Sequence, residues 1–360
     1  MDTAALTVFW VVVGARFLLP LLIPRFPLPA VVACLVLDGI DQTIFQTMGY
    51  DPPGYQGYDK AMDVFYLSIA YLSTMRNWVS TPAFAIGRFL FFYRLVGVVA
   101  FELTDWRPLL LIFPNTFEYF FIAYEVVRLR WQPAHYSRRF WMWTAALIWI
   151  FVKLPQEWWI HIAQLDFTDT LAEVPWFGPA IVVGLLALLL VFWFAVRPRL
   201  DPVDWPWRVP ADPLPEEMDE AAERAAWVTA HGRVLSVPTV EKVALVGLVS
   251  VIYGSVLPNV EASSADLFIG IGVFVVINAG IALAAARAAR TTESLFTAFA
   301  VRVAVNIGLV LLASWLLGRE DGGLDRGAAV FFVMLLSLIT ALHDRFWPVH
   351  EVRAATASAH

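Results

Sequence analysis

Apolar runs of about twenty residues, separated by short polar breaks, dominate the chain. They predict an all-α fold, a polytopic transmembrane helical bundle of about 11 spans. The runs fall at 4–23, 29–48, 61–78, 83–104, 109–128, 139–162, 179–197, 239–257, 266–288, 295–317 and 327–347. The second and third carry carboxylates that dilute their hydropathy, whereas the last five are cleanly apolar.

Between Arg199 and Pro238 the pattern changes to Pro and charge, and Glu216–His231 alternates acids, alanines and arginines. This predicts a Pro-rich linker followed by a short cytoplasmic amphipathic helix. The expected organisation is a polar-lined bundle of about seven spans over 1–198, the linker over 199–238, a plain apolar four-span scaffold over 239–348 and a cytoplasmic tail over 349–360. No internal repeat of the inverted-transporter kind stands out.

Loop charge predicts the orientation. Arg128, Arg130, Arg138 and Arg139, then Arg197, Arg199 and Arg208, then Arg287 and Arg290, then Arg345 and Arg353 fall in alternate loops. These are expected in the cytoplasm. The intervening stretches Asp166–Glu173 and Asn259–Asp266 are acidic or neutral, and Gly318–Gly327 is a mild exception with two arginines. An odd number of spans then sets the N-terminus outside and the C-terminus inside.

Composition agrees with the pattern. Hydrophobic residues make up 59% of the chain and charged residues 16%, against about 25% charged in a soluble domain. Many of the 16 tryptophans fall near span ends, where an amphipathic ring favours the headgroup level. No basic tract marks a nucleic-acid partner. The partners implied are the lipid bilayer and a small molecule or ion, and a homo-oligomer is admitted. Met1-Asp2-Thr3 lacks the basic start of a signal peptide, so the first run is expected to be retained. Cys34 is a single cysteine inside a span and carries no disulfide information. Arginine far outnumbers lysine, which parallels a GC-rich bacterial codon bias. The expected location is multi-pass in a bacterial cytoplasmic membrane.

Chemistry enters with ionisable residues at membrane depth, which are costly and face a bundle interior or a wet cavity. Asp38, Gln42 and Gln46 repeat at helical spacing, with Asp41 beside them, so one side of the second span is polar. Asp38 lies roughly 14 Å into that span at 1.5 Å per residue. The fifth span brings Asn115, Glu118 and Glu125 to one face behind Pro114, which is expected to kink it. The sixth carries Lys153, Glu157 and His161 at i, i+4, i+8, with Pro155 and Gln156 between; the fourth contributes Arg94 and Glu102. Asp38, Asp41, Glu118 and Glu157 outnumber Arg94 and Lys153, and a buried carboxylate without a partner takes a proton or holds a cation. Two acids three residues apart, Asp38 and Asp41, repel unless something lies between them. Glu125 has an i+3 partner in Arg128, and Arg302 with Asn306 is expected to bind a neighbouring helix.

Three functional readings follow. In the first, Asp38, Asp41, Gln42, Arg94, Glu118, Lys153 and Glu157 form the substrate or ion site of a transporter or carrier. In the second, Asp38, Asp41, Glu157 and His161 hold a divalent cation in an embedded enzyme acting on a lipid or polyprenyl substrate. A structural subunit whose charges only fasten helices is the third reading. Asp38-x-x-Asp41 with Asp59-x-x-x-Asp63 invites comparison with intramembrane prenyltransferases. It fails on the flanking Asn, the third Asp, the helix count and the side, because Asp59 and Asp63 are expected on the outer side. No P-loop, G-x-S-x-G or nucleotide fingerprint is present.

Overall fold

The computed structural model describes residues 3–49, 55–165, 167–204, 206–256, 263–287, 295–316 and 326–358. The expected loops Asp166–Glu173, Asn259–Asp266 and Gly318–Gly327, and the position of Arg290, fall wholly or partly outside these residues. Among the described residues the chain is helical with no strand, and each of the eleven apolar runs is largely helical over its described part. Seven helical stretches among these residues are long and apolar enough to cross a membrane.

The first half comprises α1 (Thr3–Leu18), α2 (Pro27–Thr47), α3 (Tyr55–Asn77), α4 (Thr81–Thr104), α5 (Pro108–Ile112) and α6 (Thr116–Arg128). It continues with α7 (Arg138–Ile148), α8 (Leu154–Glu157), α9 (Phe167–Glu173) and α10 (Phe177–Val191). After the linker come α11 (Ala221–His231), α12 (Val237–Val256), α13 (Ser264–Arg287), α14 (Leu295–Leu316) and α15 (Arg326–Ser358).

Helix starts follow the local sequence. Prolines occupy the first turns of α2 and α4, where a missing N–H costs nothing, and Ser80 caps α4 by accepting from the Ala83 amide. Pro114 acts more strongly than a kink: the expected single span at 109–128 is two helices, α5 and α6, separated at Phe113–Asn115. A proline lacks the donor that would continue the ladder, so carbonyls before it need other partners. Tyr93 Oη donates to Ile112 O (3.0 Å) and Arg94 Nη1 to Phe113 O (3.0 Å), so α4 caps the break. The approach is close because residue 97 is glycine: a Cβ there would lie 2.1 Å from Phe113 Cβ. Pro155 likewise distorts its helix, which widens into π turns at Trp149–Lys153 and Trp158–Ile162 on either side of α8.

Helix α3 is the centre of the molecule. Ile69, Tyr71, Leu72, Met75 and Trp78 are all buried, with Tyr71 stacked on Phe91 and Trp78 on Tyr124. Its buried hydroxyls bond its own carbonyls, Ser68 to Val64 O and Thr74 to Tyr71 O. Helices α12 and α15 pack directly on α3, and α12 also on α4, so the two halves form one body. Glu241 of α12 ties them by accepting from Tyr71 Oη and facing Arg88 at 3.3 Å.

The second half is less plain than expected. Asn278, Asn306 and Ser337 link α13, α14 and α15 in a buried chain of hydrogen bonds, and Asp344 of α15 pairs with both Lys242 and Arg302. The expected tail is a continuation of α15 to Ser358. By contrast α10 and the turns after it, Phe177–Arg199, bury none of their most apolar stretch in protein. That exposure suits a helix surrounded by lipid.

The linker is a strap rather than a free segment. Ala211 N donates to Arg25 O (2.8 Å), Arg128 Nη1 to Pro210 O (3.1 Å) and Arg353 Nη2 to Pro213 O (2.8 Å). The arginine-bearing ends of α3, α6 and α15 therefore gather at one end of the bundle, with Asp212 between Arg208 (2.5 Å) and Arg128 (3.7 Å). Glu125 pairs with Arg128 at 2.7 Å and also accepts from Trp78 Nε1, which makes it part of this end's packing.

Candidate functional site

Helix α1 is apolar except for Arg16, which points inward and is almost wholly buried. Its Nη1 donates to Asp41 Oδ2 (2.5 Å) and Asp59 Oδ1 (2.7 Å); its Nη2 donates to Asp38 Oδ1 and to Asp63 Oδ1 (3.1 Å). One guanidinium thus serves four aspartates from two helices. The Tyr58 ring lies 5.6 Å from the same guanidinium. Asp41 is sealed at 0% side-chain exposure, whereas Asp38, Asp59 and Asp63 are 31%, 34% and 33% exposed. That difference divides the cluster into a structural acid and three that face open space.

The open space is a cavity of about 420 Å³. Asp38, Asp59 and Asp63 line one wall. Arg94 of α4, Asn115 and Glu118 at the start of α6, and Lys153, Glu157 and His161 around α8 also line it, with Gln42, Lys60 and Arg107. Its lining comes from the later parts of α2 and α4 and the early parts of α3 and α6, so it lies toward the end of the bundle opposite the arginine-rich strap.

The breaks at Pro114 and Pro155 shape the wall facing the aspartates. Glu157 Oε1 accepts from the free Asn115 amide (3.1 Å) and lies 3.7 Å from Lys153 Nζ, while Oε2 meets His161 Nε2 at 3.1 Å. Glu118 accepts from Tyr66 Oη (3.0 Å) and from Asn115 Nδ2 (3.2 Å). Lys153 donates to Gln156 (3.0 Å) and its ammonium lies 4.7 Å from the Tyr119 ring. Lys60 and Glu102 pair at 3.2 Å.

The structure gathers Asp38, Gln42, Arg94, Glu118, Lys153, Glu157 and His161 around one cavity, and Asp41 lies behind it on Arg16. Gln46 does not line it. Helix α3 begins at Tyr55, six residues before the expected span, so Asp59 lies in the helix rather than ahead of it, and both Asp59 and Asp63 line the cavity. The metal-capable group differs from the expected one. Among the described residues, the carboxylates with oxygens within 4.8 Å of one another are Asp38, Asp59 and Asp63. Asp41, Glu157 and His161 are not part of that group. Arg16 was missed, yet the depth argument that selected Asp38 applies equally to an arginine deep in the first apolar run.

The fold and the site together define a helical membrane protein with a charged internal cavity. No protein-family profile matches the chain, and comparison with curated proteins and with solved structures returned no match.

Proposed function

We propose that this chain is a carrier of the cytoplasmic membrane, whose cavity takes a small charged solute together with protons or a cation. The observation that carries the reading is the charge mismatch around Arg16: four carboxylates share one guanidinium, and three of them border the cavity. Three formal negative charges left over in a low-dielectric setting draw in protons or a cation.

Arrival of such a charge on Asp38, Asp59 or Asp63 competes with Arg16 for the same oxygens. The tie between α1 and the α2–α3 pair then weakens, so the charge state of the site biases the position of α1. Arg94, Arg107 and Lys153 offer cationic groups to an anionic part of the solute, and Gln42 and Asn115 offer neutral hydrogen bonds. The test is current across proteoliposomes under pH or Na⁺ gradients, with amino acids, carboxylates and phosphates offered in turn. We expect a gradient-dependent current that Asp38→Asn and Glu157→Gln abolish. Currents unchanged in both variants would remove the reading.

A second reading has its own observation. Three converging carboxylates share a cavity with Arg94, Arg107 and Lys153, which is the donor set for a divalent cation beside a phosphate ester. An embedded enzyme acting on a lipid or polyprenyl phosphate would use that layout. Stoichiometric Mg or Mn in purified protein, lost in Asp59→Ala together with turnover of a polyprenyl diphosphate, would favour it over the carrier.

A further inference from the structure

A second cavity, of about 460 Å³, opens at the arginine-rich end between α11, α12, α13, α14 and α15. Its charged lining is Arg224, Arg233, Lys242, Arg302 and Arg345, against only Asp344 and Glu351. Asp344 already serves both Lys242 and Arg302, the latter at 2.7 Å. Glu351 accepts from Trp347 Nε1 at 2.8 Å. Arg224 spends its donors on the Met218 and Asp219 carbonyls, which satisfy hydrogen bonds without neutralising charge. Neither Arg233 nor Arg345 has a carboxylate partner among the described residues. Arg345 instead lies within electrostatic reach of Arg224. The cavity therefore holds surplus positive charge, the reverse of the cavity around Arg16.

The remaining walls are apolar. Ala282, Leu283, Ala286 and Val305 line the interior. Ile281 and Val301, also in the lining, are 42% and 55% exposed, so the cavity runs out sideways onto the apolar outer faces of α13 and α14. A free anion has no use for that side opening. An amphiphile does: its phosphate meets the arginines while its chains follow α13 and α14 into the hydrocarbon.

The geometry points to a binding site for an anionic glycerophospholipid, taken from the leaflet at the arginine-rich end and clamped between the strap helix α11 and α15. Arg345 and Arg233 hold the phosphate, and the Ala282–Ala286 face of α13 seats an acyl chain. This site is independent of the carrier reading, since it shares no residue with the Arg16 cavity.

The experiment uses full-length protein in nanodiscs of mixed phosphatidylglycerol and phosphatidylcholine, with lipids retained after detergent transfer counted by native mass spectrometry. Wild type is expected to enrich phosphatidylglycerol. Arg345→Gln and Arg233→Gln are each expected to lower that enrichment about fivefold. Ala282→Trp, which fills the chain seat and leaves every charge in place, is expected to lower it as well. Arg139→Gln, which removes a basic residue that does not line this cavity, is the control and leaves enrichment unchanged. Melting of each variant in detergent is followed in parallel, and only variants melting with wild type are scored. Equal enrichment in wild type and the arginine variants overturns the proposal. So does loss in Arg345→Gln with full retention in Ala282→Trp, or displacement of the lipid by millimolar inorganic phosphate, since either outcome assigns the site to a free anion.

Discussion

Arg16 and Asp41 form a closed pair: their atoms meet at 2.5 Å, with 5% and 0% side-chain exposure, while the other three aspartates on the same guanidinium border the cavity. The pair lies behind the working surface, and its charge state is a structural requirement. Removing the arginine leaves four carboxylates with no guanidinium, one of them sealed from water. Arg16→Ala is therefore expected to destabilise the protein by about 3–5 kcal/mol, the usual consequence of stranding a buried charge. Arg16→Lys, which keeps the charge but cannot fork to four acids, is expected to lose less. Thermal unfolding in detergent measures both.

Gly97 permits the close approach that lets α4 cap the broken helix before the site. A methyl at that position would lie 2.1 Å from Phe113 Cβ, a backbone-anchored atom with little room to move. Gly97→Ala is expected to cost about 1–3 kcal/mol through overpacking. It is also expected to disturb the cavity, because Arg94 is held by Phe113 O. Fluorescence-detected unfolding and the current assay should fall together, whereas Gly184→Ala on the lipid-exposed α10, with open space at its Cβ, should leave both unchanged.

Outside the spans, Asp204 secures the strap by accepting from the Gln132 amide (2.9 Å) and by facing His135 Nδ1 (2.7 Å). These contacts, the amide first, hold its carboxyl below the usual range. A depressed folded-state value fixes the sign. The contribution is complete above the ordinary carboxylate range and is lost as pH falls through the folded-state value. Exchange protection of the Gln132 amide, corrected for the intrinsic acid dependence, should fall on acidification in the wild type. In Asp204→Asn it should show no such pH dependence.

Helix positions were legible because apolar runs of span length leave little alternative. The residues of the cavity were legible because charge at membrane depth demands a partner or a wet space, and Asp38, Glu118, Lys153 and Glu157 all met that test. Hydropathy averages composition and so starts the third span after Asp59, whereas α3 begins at Tyr55, since a helix packed in protein can begin with acids. Nothing in the sequence says that α12 and α15 pack on α3. Asp38 and Asp41 were expected to need something between them, and Arg16 fills that role. Its identity depended on packing between α1, α2 and α3, which spacing along the chain does not encode.

The division between sealed and open aspartates predicts two opposite phenotypes from one chemical change. Asp41→Asn keeps a hydrogen-bond acceptor for Arg16 but removes a charge that water cannot replace. It is expected to cost about 2 kcal/mol, in the range for hydrogen bonds to charged groups. Asp63→Asn removes one of several like charges crowded around a single cation at a third-exposed site, so repulsion relieved offsets attraction lost. Its stability is expected to stay within about 1 kcal/mol of wild type. Function reverses the order. Asp63 borders the cavity with Asp38 and Asp59, and on the carrier reading it takes part in proton or cation uptake, whereas Asp41 does not. Asp63→Asn should therefore fold normally and lose gradient-driven current, and Asp41→Asn should melt early yet keep its pH profile while folded. If Asp63→Asn instead melted early and carried normal current, the acid cluster would be a helix fastening and the carrier reading would have no site.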